Sequence, residues 1–180
     1  MNKIVKLAVV LFLICAITAG ILGAVNELTK DRIAAINKEK TEMAYANVLK
    51  SSGYEEVSFD AEAFPAIDKV SKCSGGEGYV VETTFSGAQG NITMAVGVDK
   101  AYTCTGISII KHSETSGLGA NAASTADVGV IFRAQFVGQD ETIALKKAGG
   151  EIDALSGATI TSRSVTNAVA TAIKAVESMG

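Results

Sequence analysis

Nineteen consecutive uncharged residues near the N-terminus constrain this 180-residue chain more than any other feature. From Leu7 to Val25 the sequence reads LAVVLFLICAITAGILGAV, interrupted only by Thr18 and two glycines. At about 1.5 Å per residue, a helix of this length spans about 28 Å, which is close to the thickness of a bilayer core. The run therefore predicts a single transmembrane helix.

The charges that flank this run predict its orientation. Lys3 and Lys6 precede it, whereas Asn26 and Glu27 follow it. Because positive charge favours the cytoplasmic side, we expect residues 1–30 to form a cytoplasmic tip and the membrane helix, in contact with lipid. Residues 31–180 would then form an extracytoplasmic domain. A cleaved signal peptide is the alternative, but its apolar region is about 7–15 residues long and ends at a small-residue site, unlike this run.

The membrane helix explains an unusual composition. The chain is 48% hydrophobic and only 19% charged, with a net charge of −3. Since residues 1–30 carry +2, the remaining domain carries −5 and has an ordinary globular composition. The composition excludes a disordered or collagen-like chain. An acidic domain also argues against a nucleic-acid partner, because phosphate binding needs concentrated lysine and arginine.

Two of the three cysteines, Cys73 and Cys104, fall in the predicted outer domain. A disulfide between them is possible in an oxidising compartment, but two cysteines do not establish one. The sequence leaves their pairing open. No C-x-x-C or histidine-rich spacing is present, so we predict no metal site.

The pattern of the outer domain predicts an α+β fold, with an antiparallel sheet and flanking helices behind the single transmembrane helix. Helix formers continue the membrane helix to about residue 50, and a loop containing Pro65 follows. Period-two runs separated by turn residues predict a three-stranded meander. The predicted strands are 78–85, 91–98 and 103–111, followed by short helices and loops over 121–148 and an amphipathic helix over 162–179.

A turn rich in serine, threonine and glycine precedes the last helix. It reads Asp153-Ala-Leu-Ser-Gly-Ala-Thr-Ile-Thr-Ser. Such a turn offers free backbone N–H groups and hydroxyls that can hold a phosphate at the positive end of a helix. Plain capping is the alternative, with Thr161 or Ser162 as N-cap and Gly157 in the turn. The pattern is neither a Walker A motif nor G-x-G-x-x-G.

A second segment, His112 to Gly119, lies directly after the third predicted strand and reads HSETSGLG. Alone, His112 would be an exposed or capping histidine and Glu114 a solvated loop carboxylate. The glycines would let the backbone approach a planar ligand closely, and Leu118 could pack on its face.

Together the two segments resemble the FMN-binding domains that carry covalent flavin. The whole plan is similar to the G-subunit family (RnfG) of Rnf electron transport complexes. The threonine motif is similar to that of the C subunit of the sodium-translocating NADH:quinone reductase, which is usually longer. The resemblance implies FMN joined as a phosphoester to Thr159, with Thr161 as the lesser candidate. Asp153 heads the motif read by a flavin transferase. The other residues that the resemblance places at the cofactor are His112, Glu114, Thr115, Gly117, Leu118, Gly119, Ser156, Gly157 and Ala158, with Ser116 where the family usually has proline.

The resemblance also implies a function. Rnf complexes couple electron flow between reduced ferredoxin and NAD to sodium or proton movement. The chain would be an electron-relaying subunit of this translocase beside the other membrane subunits, not catalytic alone. As a separate electrostatic hypothesis, Asp153, Glu114 and the net negative charge of the domain would disfavour the anionic flavin and so lower the flavin potential. The alternatives are an anchored extracytoplasmic binding module, or an anchored flavoprotein serving another reductase.

Overall fold

A computed structural model of the chain describes residues 3–180; the first two residues of the predicted cytoplasmic tip lie outside the described part. The chain divides into a first compact unit that ends at Glu39 and a second from Lys40 to Gly180. The predicted boundary between residues 30 and 31 separates the membrane anchor from the outer domain instead of two compact units, and it stays a prediction.

One long helix, α1 (Lys3–Val48), contains the predicted membrane segment. Within the described residues it is the one helix long and apolar enough to cross a membrane. Its apolar side chains are exposed, with Phe12 and Leu7 both at 70%. The predicted helical continuation beyond the apolar run is confirmed, since α1 ends only two residues before the predicted end at about residue 50.

The second unit is built on a five-stranded antiparallel sheet in which every strand pairs with the next along the chain. The three predicted strands are confirmed, and Pro65 lies in a loop as predicted, but two further strands that the sequence did not predict flank this loop. The short β1 carries two exposed glutamates, and β2 has a register irregularity near its start. The strands are β1 (Tyr54–Val57), β2 (Ile67–Cys73), β3 (Gly78–Ser86), β4 (Asn91–Asp99) and β5 (Cys104–Lys111).

Helices cover both faces of this sheet, which is why β3 and β4 hold consecutive buried residues instead of strict alternation. One face packs against α2 (Asp127–Ala134) and α3 (Thr159–Glu177) in the main core. The other packs against the last turns of α1 through Ala44, Tyr45 and Val48. The predicted apolar stripe of α3 is confirmed; its buried members are Val165, Val169, Ala172, Ile173 and Val176.

The sheet separates the two outer-domain cysteines. Cys73 lies in the cluster beneath α1 and Cys104 in the core beneath α3, and both are free and buried. Burial raises the pKa of the Cys104 thiol to about 12, despite its contact with the carbonyl oxygen of Gly106 at 3.6 Å. Burial also raises the pKa of Cys73.

We therefore expect neither thiol to react in the folded protein. In a Cys15→Ala background, iodoacetamide at pH 8 should label no cysteine before unfolding and both after urea denaturation without reductant. Mass spectrometry counts the labels. If Cys73 or Cys104 stayed unlabelled in denatured protein without reductant, this result would contradict the assignment of both as free thiols.

Candidate functional site

The first turn of α3 leaves backbone donors unused. The preceding Gly157 has φ +71°, and the N-cap residue Ala158 supplies no side-chain hydrogen bond. The first helical bond runs from the Ser162 amide to the Ala158 carbonyl oxygen at 3.0 Å. The amides of residues 159–161 consequently have no helical acceptor, and such a helix start binds anions.

The alternative interpretation, in which Thr161 or Ser162 caps the last helix, is wrong. The helix begins at Thr159, so both residues lie inside its first turn, and both are fully buried. The Thr161 hydroxyl donates to Glu114 Oε2. The Ser162 hydroxyl donates to the Ala158 carbonyl and accepts from the Leu155 amide, each at 2.9 Å. Both hydroxyls are used in internal contacts instead of capping the helix.

Thr159 and Thr161 therefore differ in availability. The Thr159 side chain is half-buried, and its hydroxyl makes no hydrogen bond to any residue in 3–180. It lines a surface cleft of about 330 Å³ together with Ser156 and Gly157. Thr161 has no exposed surface. Of these two hydroxyls, only that of Thr159 is open to a reaction partner.

Charged groups surround the same cleft. Lys146 Nζ lies 2.6 Å from Asp153 Oδ2, so the carboxylate that heads the motif is paired. Lys147 also lines the cleft and has no ion pair within the described chain. The Gln135 side chain holds the Asp153 backbone, accepting from its amide at 2.7 Å and donating to its carbonyl at 3.3 Å. Sequence reasoning missed both lysines and Gln135, because single polar residues in a loop-rich segment form no motif.

The HSETSGLG loop leaves β5 and turns Glu114 into the interior. Glu114 Oε1 accepts from the amides of Ala88 at 2.9 Å and Gln89 at 3.0 Å, both in the β3–β4 turn. The Glu114 amide in turn donates to His112 Nδ1 at 3.3 Å. Ala88 and Gln89 were predicted only as turn residues. Both carboxylate oxygens of Glu114 therefore accept hydrogen bonds from the protein itself.

The remaining loop residues bring the two motifs into contact. A Cβ atom added at Gly157 would lie 2.9 Å from Leu118 Cδ2, so this glycine lets the leucine reach the turn before α3. Leu118 is 44% exposed and Ile160 is 61% exposed, which gives apolar surface on both motifs. Thr115 closes the loop through its carbonyl, which accepts from the Leu118 and Ala120 amides at 3.2 Å.

Comparison with known proteins identifies the chain. The model of the FMN-binding domain matches residues 87–174, and that of the RnfG N-terminal region matches residues 1–48. The G subunit of the ion-translocating oxidoreductase complex from Methanosarcina acetivorans is 33% identical over 183 residues, covering 96% of this chain and 94% of that protein. The chain belongs to the RnfG family.

Other members of the RnfG family match over nearly the full length. The G subunit of the Na⁺-translocating ferredoxin:NAD⁺ oxidoreductase complex from Acetobacterium woodii is 30% identical, covering 97% of this chain and 92% of that protein. The crystal structure of the C subunit of the Na⁺-translocating NADH-quinone reductase from Parabacteroides distasonis shares the fold, with a TM-score of 0.50. It is 20% identical and covers 76% of this chain and 80% of that one.

These findings confirm several predictions from the sequence. The chain is a single-pass membrane subunit with an FMN-binding domain, and it is an electron-transfer flavoprotein subunit of the Rnf type. The α+β fold class is also confirmed.

The environment of the Glu114 carboxyl group predicts that the stability of the domain depends on pH. Burial alone would raise the pKa of Glu114, but hydrogen bonds from the Gln89 amide, the Thr161 hydroxyl and the Ala88 amide outweigh it. The pKa is held below its ordinary value of 4.5. A lowered carboxyl pKa stabilises the fold above that ordinary value, and the stabilisation disappears as pH falls through the lowered pKa.

We therefore expect Glu114→Gln to unfold more easily than wild type at pH 7. The difference in unfolding free energy should shrink as pH falls below 4.5. Urea denaturation of both proteins across a pH series measures this difference. A difference that stays constant with pH would show that the Glu114 charge does not contribute.

Proposed function

We propose that this chain carries FMN as a phosphoester on Thr159 and relays electrons within an ion-translocating complex that connects ferredoxin with NAD. The similarity to the Acetobacterium woodii relative, whose name describes that activity, supports this complex type. The observation that carries the attachment site is the contrast between the two threonine hydroxyls. That of Thr159 is available in a cleft, whereas that of Thr161 is buried and bonded to Glu114.

The residues around Thr159 fit a phosphoester. Such an ester keeps one ionised oxygen, which needs hydrogen-bond donors and positive charge. The unpaired amides at the start of α3 supply donors, and the N-terminal end of the helix dipole favours negative charge. The Lys147 ammonium group supplies a further charge on the cleft wall. The volume of about 330 Å³ lies within the range of small-molecule sites.

The protein part of the mechanism is positioning and shielding. Bound FMN supplies the capacity to accept and donate electrons, while the protein supplies orientation and electrostatics. Leu118 and Ile160 present exposed apolar surface near the attachment residue, which would exclude water from a bound aromatic ring. The turn before α3 would therefore anchor the phosphate, and the HSETSGLG loop would face the ring.

The location of the relay follows from the flanking charges. Lys3 and Lys6 favour a cytoplasmic N-terminus, with residues 1–30 as the anchor in lipid and the domain of residues 31–180 outside. Covalent attachment would retain the cofactor there. A flavin transferase would recognise the turn headed by Asp153, whose backbone Gln135 holds in place.

Expression of the full chain with and without a flavin transferase tests this proposal. After denaturing electrophoresis, we expect flavin fluorescence in the protein band only when the transferase is present. Flavin that is released on denaturation would show binding without a covalent bond. A dark band under both conditions would contradict the attachment.

A further inference from the structure

Glu114 is the one charged side chain that is buried among residues 3–180, with 8% of its surface exposed. A buried carboxylate is costly unless its oxygens accept hydrogen bonds. Glu114 has three such bonds, from the amides of Ala88 and Gln89 to Oε1 and from the Thr161 hydroxyl to Oε2. The carboxylate is thereby paired with the protein's own donors.

These three bonds join three separate segments of the chain. Ala88 and Gln89 belong to the β3–β4 turn, Glu114 to the loop after β5, and Thr161 to the first turn of α3. Two glycines make room for the carboxylate. A Cβ atom added at Gly87 would overlap Glu114 Oε1, and one added at Gly119 would overlap Oε2. The surrounding backbone is shaped to admit this one side chain.

Two of the residues expected at the cofactor, Thr159 and Leu118, are attached to this junction. Thr159 lies two residues before Thr161 in the same helical turn, so a displacement of Thr161 also displaces the Thr159 hydroxyl. Leu118 precedes Gly119, which lies against the carboxylate, and it also reaches the turn at Gly157. A shift of Glu114 would therefore move both the anchoring residue and the apolar surface.

We propose that Glu114 is a positioning residue, whose carboxylate fixes the first turn of α3 against the HSETSGLG loop so that Thr159 and Leu118 face one cofactor. It acts through Thr161. The inference rests on the proposed attachment of FMN to Thr159. The lowered pKa of Glu114 keeps the acceptor ionised at neutral pH.

The test uses the full chain in membranes with a co-expressed flavin transferase. Glu114→Ala removes both carboxylate oxygens and with them all three hydrogen bonds, Thr161→Val removes only the hydroxyl donor, and Thr161→Ser restores a hydroxyl. Glu177→Ala is the matched control, because it removes the same charge at the exposed far end of α3. Two quantities are measured: the rate of covalent flavin attachment by in-gel fluorescence, and the visible circular dichroism of the attached flavin.

We expect Glu114→Ala to slow attachment by about tenfold or more, because it leaves two amides and a hydroxyl unpaired in the interior. Its attached flavin should show a weaker dichroic band. Thr161→Val should slow attachment severalfold, and Thr161→Ser should recover most of the rate. The double variant Glu114→Ala/Thr161→Val should match Glu114→Ala alone, since residues that act through one bond are not additive. The control should match wild type.

Several results would overturn the role of Glu114. A wild-type attachment rate and flavin dichroism in Glu114→Ala would do so. So would a double variant whose attachment rate is lowered by the product of the two single effects. If Glu114→Ala fails to fold, equal rates in Thr161→Val and Thr161→Ser overturn the role instead. A wild-type chain without covalent flavin would refute the proposed function, which is a distinguishable outcome.

Discussion

Thr159→Ala is expected to abolish covalent flavin completely, even after prolonged incubation with the transferase. The substitution removes the one hydroxyl of the two candidates that is half-buried in the cleft and free of hydrogen bonds within residues 3–180. Alanine is a good helix former, so α3 should still begin at this position. The loss would therefore report on chemistry and not on folding.

Two companion variants sharpen this result. Thr159→Ser keeps a hydroxyl at the same position and should retain attachment. Thr161→Val should slow attachment without abolishing it, because that hydroxyl supports the turn through Glu114. In-gel fluorescence normalised to protein amount measures all three. Loss of flavin in Thr161→Val together with full attachment in Thr159→Ala would show that the structure assigns the wrong hydroxyl.

Gly119→Ala is expected to destabilise the domain by about 3 kcal/mol, with a melting temperature lower by about 10 °C. The added Cβ would overlap Glu114 Oε2 and lie 2.6 Å from Thr161 Oγ1 and 3.0 Å from Glu114 Cβ. Relief of this overlap requires the buried carboxylate to lose its hydroxyl partner. Overpacking and an unpaired buried charge both cost stability.

Gly117→Ala is the matched control, two residues earlier in the same loop. Its φ of +78° disfavours a side chain, but an added Cβ would meet no atom within 4 Å. Only the backbone conformation then costs free energy, about 1 kcal/mol. Thermal unfolding of both variants gives the comparison. Equal losses of unfolding free energy in Gly119→Ala and Gly117→Ala would mean that the space around Glu114 can accommodate a side chain at position 119.

Strong local patterns allowed much of the fold to be predicted from the sequence. The apolar run, the three alternating strands and the amphipathic stripe of α3 each repeat over many residues, so periodicity identifies them. Strands β1 and β2 were not predicted, because neither has a regular pattern that repeats over many residues. The short β1 has exposed Glu55 and Glu56, and β2 alternates imperfectly across its irregular register. Strand β2 depends on pairing with β3 and β1 depends on pairing with β2, and sequence patterns do not show these pairings.

The candidate site was predictable only as far as its motifs extend. The two motifs indicated Thr159 and Leu118, and the structure brings the motifs into contact through Leu118 and Gly157. The partners of Glu114 were not predictable, because Ala88 and Gln89 contribute only backbone amides from a turn about 25 residues away. Long-range hydrogen bonds of this kind depend on the completed fold.

The most direct test of the central claim is to locate the flavin on the peptide. Trypsin releases residues 148–163, which contain both Thr159 and Thr161. In protein made with a flavin transferase, fragmentation of this peptide should place a mass of FMN less one water on Thr159, with Thr161 unmodified. The same mass on Thr161, or an unmodified peptide from fluorescent protein, would contradict the account.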